Sequence, residues 1–281
     1  RPLINGVISD FEMTQEMLSF LFKRAVGPSN FFNYNKAVIG VPSNLTEVER
    51  KSVEDAVIGA GASKVYVVEE PLLAALGAKM PIDEPTSNLI IDIGGGTTEI
   101  AVISMGGIVN AKSIKTAGDK LNEDIVRFIR DEFHLAIGEP TAEELKINIG
   151  SALPLDQKMD LPIRGRDMAT GLPREVIVRD IHIRAAISKS LKMIIDSIKE
   201  TIETTPPELV GDVLKRAIFI CGGGSLLKGI DKLVEKEITV TTRIVEDPLT
   251  CVARGAGMIA ENLTKYSYLV NNPLRPKEIK I

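Results

Sequence analysis

A two-lobed α/β fold is predicted by three features of this 281-residue chain. Helical and strand periodicities alternate along it, with no low-complexity segment or short repeat. The segment from Asn88 to Ser104 joins an apolar strand, through Asp92 and Gly94-Gly95-Gly96-Thr97-Thr98, to an alternating strand. The same grammar returns where Ala217-Ile-Phe-Ile-Cys221 meets Gly222-Gly223-Gly224-Ser225. Without a Cβ, glycines let backbone N–H groups converge on an anion, and the hydroxyls add donors. Taken alone, the first loop reads as a tight turn between strands. The second changes that reading. After Ser225, the residues Leu226, Leu227, Ile230, Leu233 and Val234 recur at helical spacing, so a helix starting at the glycines is expected, and helix N-termini attract anions. Neither loop follows GxxxxGK[ST] or G-x-G-x-x-G, which disfavours P-loop and Rossmann sites.

The elements follow in order. Met17, Leu18, Leu21, Phe22 and Ala25 line one face of a helix that Thr14 is expected to cap. Val38 to Val41 reads as a short buried strand ended by Pro42. Thr46 and Glu49 form a capping box for a helix turning Val48, Val53, Ala56, Val57 and Ala60 inward. A strand from Lys64 to Val68 leads to Glu69-Glu70-Pro71 and a helix from Leu72 to Ala78. Pro81 to Ser87 reads as the hinge between lobes. The strand ending at Ile103 and the strand from Ile108 to Lys115 pair through Gly106-Gly107. Leu121, Ile125, Phe128, Ile129 and Phe133 mark a helix, and Thr141 with Glu144 marks the start of another. Leu153 to Asp180, rich in proline and glycine, reads as an antiparallel insert. Ile187 to Ile202 is a long helix. A strand, the second glycine loop, a strand from Thr239 to Val245 and a helix after Pro248 complete the pattern.

Composition sets bounds. The chain is 44% hydrophobic and 26% charged, ordinary usage for a globular protein long enough for two cores. A net charge of −4 with no long basic run gives no reason to expect nucleic acid. Cys221 and Cys251 are too few for a disulfide scaffold or a metal cluster and fit buried thiols in a reducing compartment. His134 and His182 stand alone, which favours solvent or core positions over ligation. No spanning helix, signal peptide or lipidation motif is read, so a cytoplasmic protein is expected, one that can still touch a membrane.

Several blocks resemble the MreB family of bacterial actins, in family order over nearly the whole chain. They include Val38-Ile-Gly-Val-Pro42, Glu47-Val-Glu-Arg50, Glu69-Glu70-Pro71, Asp92 through Ser104, Gly138-Glu-Pro-Thr141-Ala-Glu143, Ile163-Arg-Gly-Arg166-Asp167, Thr205-Pro-Pro-Glu208, Cys221 through Ser225 and Asp247-Pro-Leu-Thr250-Cys251. The resemblance implies an actin-like ATPase fold with ribonuclease H-like lobes. Residues 1–84 would be the remainder of the first lobe, with 254–275 packing back onto it. Residues 85–120 and 185–253 would form the core of the second lobe, and 121–184 its small insert. The chain begins after the hairpin whose Asp-Leu-Gly-Thr type loop grips the β- and γ-phosphates in such ATPases. A truncated sequence is therefore expected, the alternative being a shortened homologue with weakened nucleotide binding.

The resemblance also assigns roles, with ATP or ADP and Mg²⁺ as cofactors. Glu70, set at a strand end by Pro71, would orient or deprotonate the attacking water, although it could instead cap the following helix. Thr97 would share that water, and Thr98 would help hold phosphate. Asp92 would meet Mg²⁺ through its waters, because Mg²⁺ dehydrates reluctantly. The segment Glu143-Glu144-Leu145-Lys146 would face the nucleoside, with Glu143 and Lys146 presenting an acceptor and a donor from one helix face. Spacing alone fits a surface ion pair equally well. Gly222, Gly223, Gly224, Ser225 and Leu226 would pack against adenine and the α-phosphate.

Phe31 and Phe32 lie among polar residues in a loop, and the family implies that such a loop enters the bilayer surface. The expected partners are further copies of the chain in double filaments, the inner face of the cytoplasmic membrane and wall-synthesis proteins that set rod shape, with no nucleic acid. Competing readings are a monomeric Hsp70-like or other actin-fold ATPase and a non-hydrolysing interaction module.

Overall fold

The computed structural model describes residues 2–26 and 36–270. Phe31 and Phe32 lie outside that range. In chain order the elements are β1 (Leu3–Ile4), β2 (Val7–Ile8), α1 (Phe11–Val26), β3 (Ala37–Val41), α2 (Glu47–Gly59), β4 (Val65–Glu69) and α3 (Glu70–Gly77). Then come β5 (Asn88–Ile93), β6 (Thr98–Ser104), β7 (Gly107–Ile114), α4 (Gly118–Phe133), β8 (Leu135–Ala136), α5 (Glu139–Ile149), β9 (Asp160–Asp167) and β10 (Pro173–Arg179). The last are α6 (Asp180–Glu203), α7 (Pro207–Lys215), β11 (Ile218–Cys221), α8 (Ile230–Ile238), β12 (Thr242–Ile244), α9 (Cys251–Glu261) and α10 (Ser267–Val270).

A mixed five-stranded sheet in the order β12-β11-β5-β6-β7 organises the molecule. β11 runs parallel to both β12 and β5, while β6 and β7 return antiparallel. Every residue of β5 and β6 is buried, as their near-continuous apolar runs demand of strands covered on both faces. Leu89, Ile91, Ile93, Ile100 and Val102 turn toward the larger core, which α4, α5, α6 and α8 complete. Ile90, Ala101 and Ile103 turn the other way, onto α3 and α9. Beside this layer β3 and β4 form a parallel pair, and β10-β9-β8 form the antiparallel insert.

Several local expectations shift. The Thr46–Glu49 capping box forms as read. Helix α1, however, starts at Phe11, where Asp10 Oδ1 accepts the Met13 N–H, so Thr14 lies inside the first turn and donates to the Asp10 and Pro2 carbonyls. Val48 is 79% exposed, because it falls on the solvent side of the first turn of α2. The turn between β6 and β7 is Met105-Gly106, both at positive φ (50° and 71°) as a tight antiparallel hairpin requires, and Gly107 already belongs to β7. Helix α5 opens at Glu139-Pro140 rather than at Thr141. After the second glycines comes a short 3₁₀ turn, Gly223–Leu226, and α8 begins only at Ile230. The β1-β2 hairpin and α7 were not read from the sequence.

Helices α3 and α9 cross at backbone contact. A Cβ on Gly77 would overlap the Cys251 carbonyl, and one on Gly255 would overlap the Leu73 carbonyl. Two glycines thus set how closely α3, which begins at Glu70, lies against α9 and the sheet.

Candidate nucleotide site

Strand register assembles a polar row. Cys221 pairs with Asp92, Asp92 with Glu99, and Glu99 with Ser113, so four neighbouring strands present these side chains on the face that meets α3. Asp92 is buried beside the Cys221 thiol, its partner across the strand pair. Burial raises its pKa to about 6, opposed by the neighbouring Cys221 thiol and reinforced by Glu99. Glu99 is only 1% exposed and fully engaged. Its Oε2 accepts the Ser43 N–H (3.2 Å) and the Ser43 hydroxyl (3.0 Å), and its Oε1 accepts the Ser113 hydroxyl.

Glu70 opens α3 ahead of Pro71, a residue whose fixed φ suits the first turn. A Cβ on Gly40 would lie 3.2 Å from Glu70 Cγ, so the carboxylate's stem rests on the backbone of β3. Burial first, then Asp92 and Glu99, raises the Glu70 pKa to about 8. Gly222 sits at φ +79°, where a Cβ would overlap Asp92 Oδ1 and the Ile93 carbonyl. Only glycine lets the second turn close over Asp92.

The two glycine turns open onto one cavity of about 300 Å³. Gly94 and Gly95 form one wall, Gly223, Gly224, Leu226 and Leu227 another, and Glu143, Lys146 and Ile147 of α5 a third. The start of α4 is stitched to the first turn, Gly118 N–H donating to the Gly94 carbonyl (3.1 Å) and Asp119 N–H to that of Gly95 (2.8 Å). Lys146 Nζ donates to the Gly118 carbonyl (3.0 Å), and burial lowers its pKa. Apart from Gly95 and its chain neighbours, nothing lies within 4 Å of where a Gly95 Cβ would stand, so that backbone faces open space.

The remaining sequence-predicted residues sit as follows. Thr97 lies half-buried under the Asn5-Gly6 turn of the β1-β2 hairpin, and a Gly96 Cβ would come within 2.9 Å of Asn5 Cα. The Thr98 hydroxyl is buried and donates to the Thr116 carbonyl (2.7 Å). The Ser225 hydroxyl closes its own turn by donating to the Gly222 carbonyl (2.7 Å). Glu144 is exposed and Leu145 enters the core, so neither lines the cavity. Sequence reasoning missed Gly118, Asp119, Leu121, Ile147, Leu227 and Leu249 among the lining residues, and Glu99 beside Glu70 and Asp92. A small residue opening an amphipathic helix, Gly118 before α4, was the available signal.

Among the described residues no three His, Cys, Asp or Glu side chains are grouped to hold a metal by themselves. The donor set nevertheless suits Mg²⁺, a hard cation that keeps several waters and takes one or two carboxylates together with substrate phosphates. Among the described residues no helix is long and apolar enough to cross a membrane.

Comparison with known proteins accords with this geometry. The family model described as MreB/Mbl protein matches residues 1–268. The cell shape-determining protein Mbl of Bacillus subtilis is 43% identical over 265 residues, 94% of this chain and 79% of that protein. MreB of Escherichia coli K12 is 40% identical over 93% of this chain and 75% of its own length. Among solved structures, MreB5 of Spiroplasma citri bound to ADP superposes with a TM-score of 0.88 at 38% identity, covering 96% of this chain and 80% of that one. The MamK double helical filament gives 0.79 at 25% identity, covering 93% and 80%. The fold is actin-like, and the chain belongs to the MreB/Mbl family of cell shape-determining proteins.

Proposed function

We propose that this chain binds ATP and ADP with Mg²⁺ in the cavity between its glycine turns, hydrolyses ATP there, and polymerises into filaments that lie on the cytoplasmic membrane and guide wall synthesis. The observation that carries the nucleotide reading is the convergence of both glycine turns on one cavity, with Asp92 directly beneath Gly222. Relatives support it, since the Spiroplasma citri MreB5 structures hold ADP and AMPPNP. Backbone N–H groups of Gly95, Gly223 and Gly224 face phosphate, while that of Gly94 closes its own turn by donating to the Thr97 carbonyl (2.9 Å). Lys146 and Glu143 on α5 face the nucleoside, joined by Asp119 from α4. Asp92 is the carboxylate that would hold Mg²⁺.

When bound, Mg²⁺ supplies positive charge that offsets the phosphates and favours the ionised forms of Asp92 and Glu70. Glu70 orients or deprotonates the attacking water, with Thr97 as its hydroxyl partner. Phosphoryl transfer asks for position and electrostatics more than for covalent help. The proposed lobe division is the one expected from the family resemblance: 1–84 with 254–275, 85–120 with 185–253, and 121–184 as the insert.

Filament formation follows from the cell shape-determining relatives and the MamK filament, through a head-to-tail contact of the open, heterologous kind. At the membrane, Phe31 and Phe32 offer about 3–6 kcal/mol if both are fully buried, weak for one subunit and strong when repeated along a polymer. Co-pelleting and negative-stain microscopy with ATP, Mg²⁺ and anionic liposomes test this. Filaments on liposomes are expected, and a Phe31→Ala/Phe32→Ala variant should still polymerise but stay off the membrane. A chain that remains monomeric at every concentration contradicts the filament reading, and a variant that binds liposomes normally contradicts the assignment of the aromatics.

A further inference from the structure

Glu99 links two layers of the molecule, the five-stranded sheet and the β3-β4 pair, through side-chain hydrogen bonds. It stands on β6 of the five-stranded sheet, in register with Asp92, and is buried to 1%. A carboxylate this deep is costly unless its oxygens are occupied, and three donors occupy them. The Ser113 hydroxyl comes from the adjacent strand, β7. The other two donors, the Ser43 N–H and hydroxyl, come from the loop that ends β3 in the neighbouring layer.

That loop is tied to Glu70. β3 runs parallel to β4 with Val41 opposite Glu69, so the residues after Val41 lie beside the strand end from which Glu70 emerges. Gly40, three residues before Ser43, forms the floor on which Glu70 Cγ rests. The connection runs from the sheet carrying Asp92, through Glu99 and Ser43, into β3, and from β3 to the carboxylate facing Asp92.

We infer that Glu99 is a positioning residue: by clamping Ser43 to β6 and β7 it fixes the end of β3, and with it Glu70, over Asp92. This rests on the hydrolysis reading above. A carboxylate is suited to the task because it accepts two donors from Ser43 on one oxygen while the other serves Ser113. A glutamine keeps the shape but offers a single acceptor oxygen and places an NH₂ opposite a donor.

The test compares Glu99→Gln, Ser43→Ala, Ser43→Thr and the double variant Glu99→Gln/Ser43→Ala in the 281-residue chain. Steady-state ATP turnover, ADP affinity, melting temperature and hydrogen exchange at the Ser43 amide are measured. Misplacing a general base while leaving the binding groups intact lowers kcat but not affinity. Glu99→Gln and Ser43→Ala are each expected to lower kcat about tenfold, with KM and ADP affinity changed less than about twofold. The double variant should be no slower than Glu99→Gln alone, Ser43→Thr should restore turnover, and Ser43 amide exchange should accelerate in Glu99→Gln. If Glu99→Gln fails to fold, the Ser43 pair carries the same comparison.

Unchanged kcat in these variants, beside a wild-type chain that turns over, overturns the positioning role alone. So do independent, multiplicative losses in the double variant, or a loss of ADP affinity that matches the loss of kcat. A wild-type chain that binds ADP but hydrolyses no ATP overturns the hydrolysis reading, and this proposal with it.

Discussion

Replacing Gly255 by alanine is expected to destabilise the chain by about 3 kcal/mol, the upper part of the usual range for overpacking. The reason is geometric. The new Cβ would overlap the Leu73 carbonyl and come within 2.9 Å of Leu73 Cα, and main-chain atoms cannot rotate away as a side chain would. Relief requires α3 and α9 to separate, which loosens a core containing Leu72, Leu73, Ala74, Cys251 and Ile259. Because α3 begins at Glu70, ATP turnover should fall in the same variant. Gly257, two residues along α9, is the control: apart from the helix's own backbone, nothing lies within 4 Å of its Cβ position. There alanine should be neutral or stabilising by up to about 1 kcal/mol, since glycine is a poor helix former. Urea unfolding measures both, as a lower midpoint at unchanged slope for Gly255→Ala. Equal midpoints for the two variants would contradict the close helix crossing.

Glu70→Gln should reduce ATP turnover on the order of a hundredfold, the usual contribution of a positioned acid or base, while ADP affinity stays within a few-fold. It should also change how stability depends on pH when Mg²⁺ and nucleotide are left out. Burial, with Asp92 and Glu99 adding to it, raises this carboxyl from an ordinary 4.5 to about 8. Between those values the folded chain holds a proton that the unfolded chain has released, so this group makes stability fall as pH rises. The loss is complete above about pH 8, and one group contributes a slope of at most about 1.4 kcal/mol per pH unit. Removing the carboxyl removes the loss. Glu70→Gln should therefore gain on the wild type as pH climbs from 5 to 8. Parallel stability curves would contradict the buried environment assigned to Glu70.

How much of this was legible from sequence depends on the range of each interaction. β5 and β6 were readable because an apolar and an alternating run flank the glycines, and the Thr46 capping box because it spans four consecutive residues. The second turn was legible as glycines but not as a 3₁₀ turn, since apolar spacing after Ser225 cannot locate the first helical residue. Glu143 and Lys146 share a face with Ile147, whereas Glu144 and Leu145 rotate off it by the helical repeat, so a four-residue block could not all meet one ligand. Asn5-Gly6 carries a hairpin signal, but its strands are two residues each and too short to show alternation. Glu99 read as one polar position in an alternating strand. Its significance comes from Ser43, which is 56 residues away in sequence and brought close only by the fold.

The central claim is that the cavity between the glycine turns holds an adenine nucleotide, and calorimetric titration of the 281-residue chain with MgADP and MgATP tests it most directly, beside Gly222→Ala. That substitution forces a side chain into φ +79° and against Asp92 Oδ1, where strain of about 1–3 kcal/mol corresponds to a loss of affinity of up to about a hundredfold. Saturable binding of one nucleotide per chain, severely weakened in a variant that remains folded, is the predicted result. Absence of binding at millimolar nucleotide, or equal affinity in the folded variant, would contradict the site.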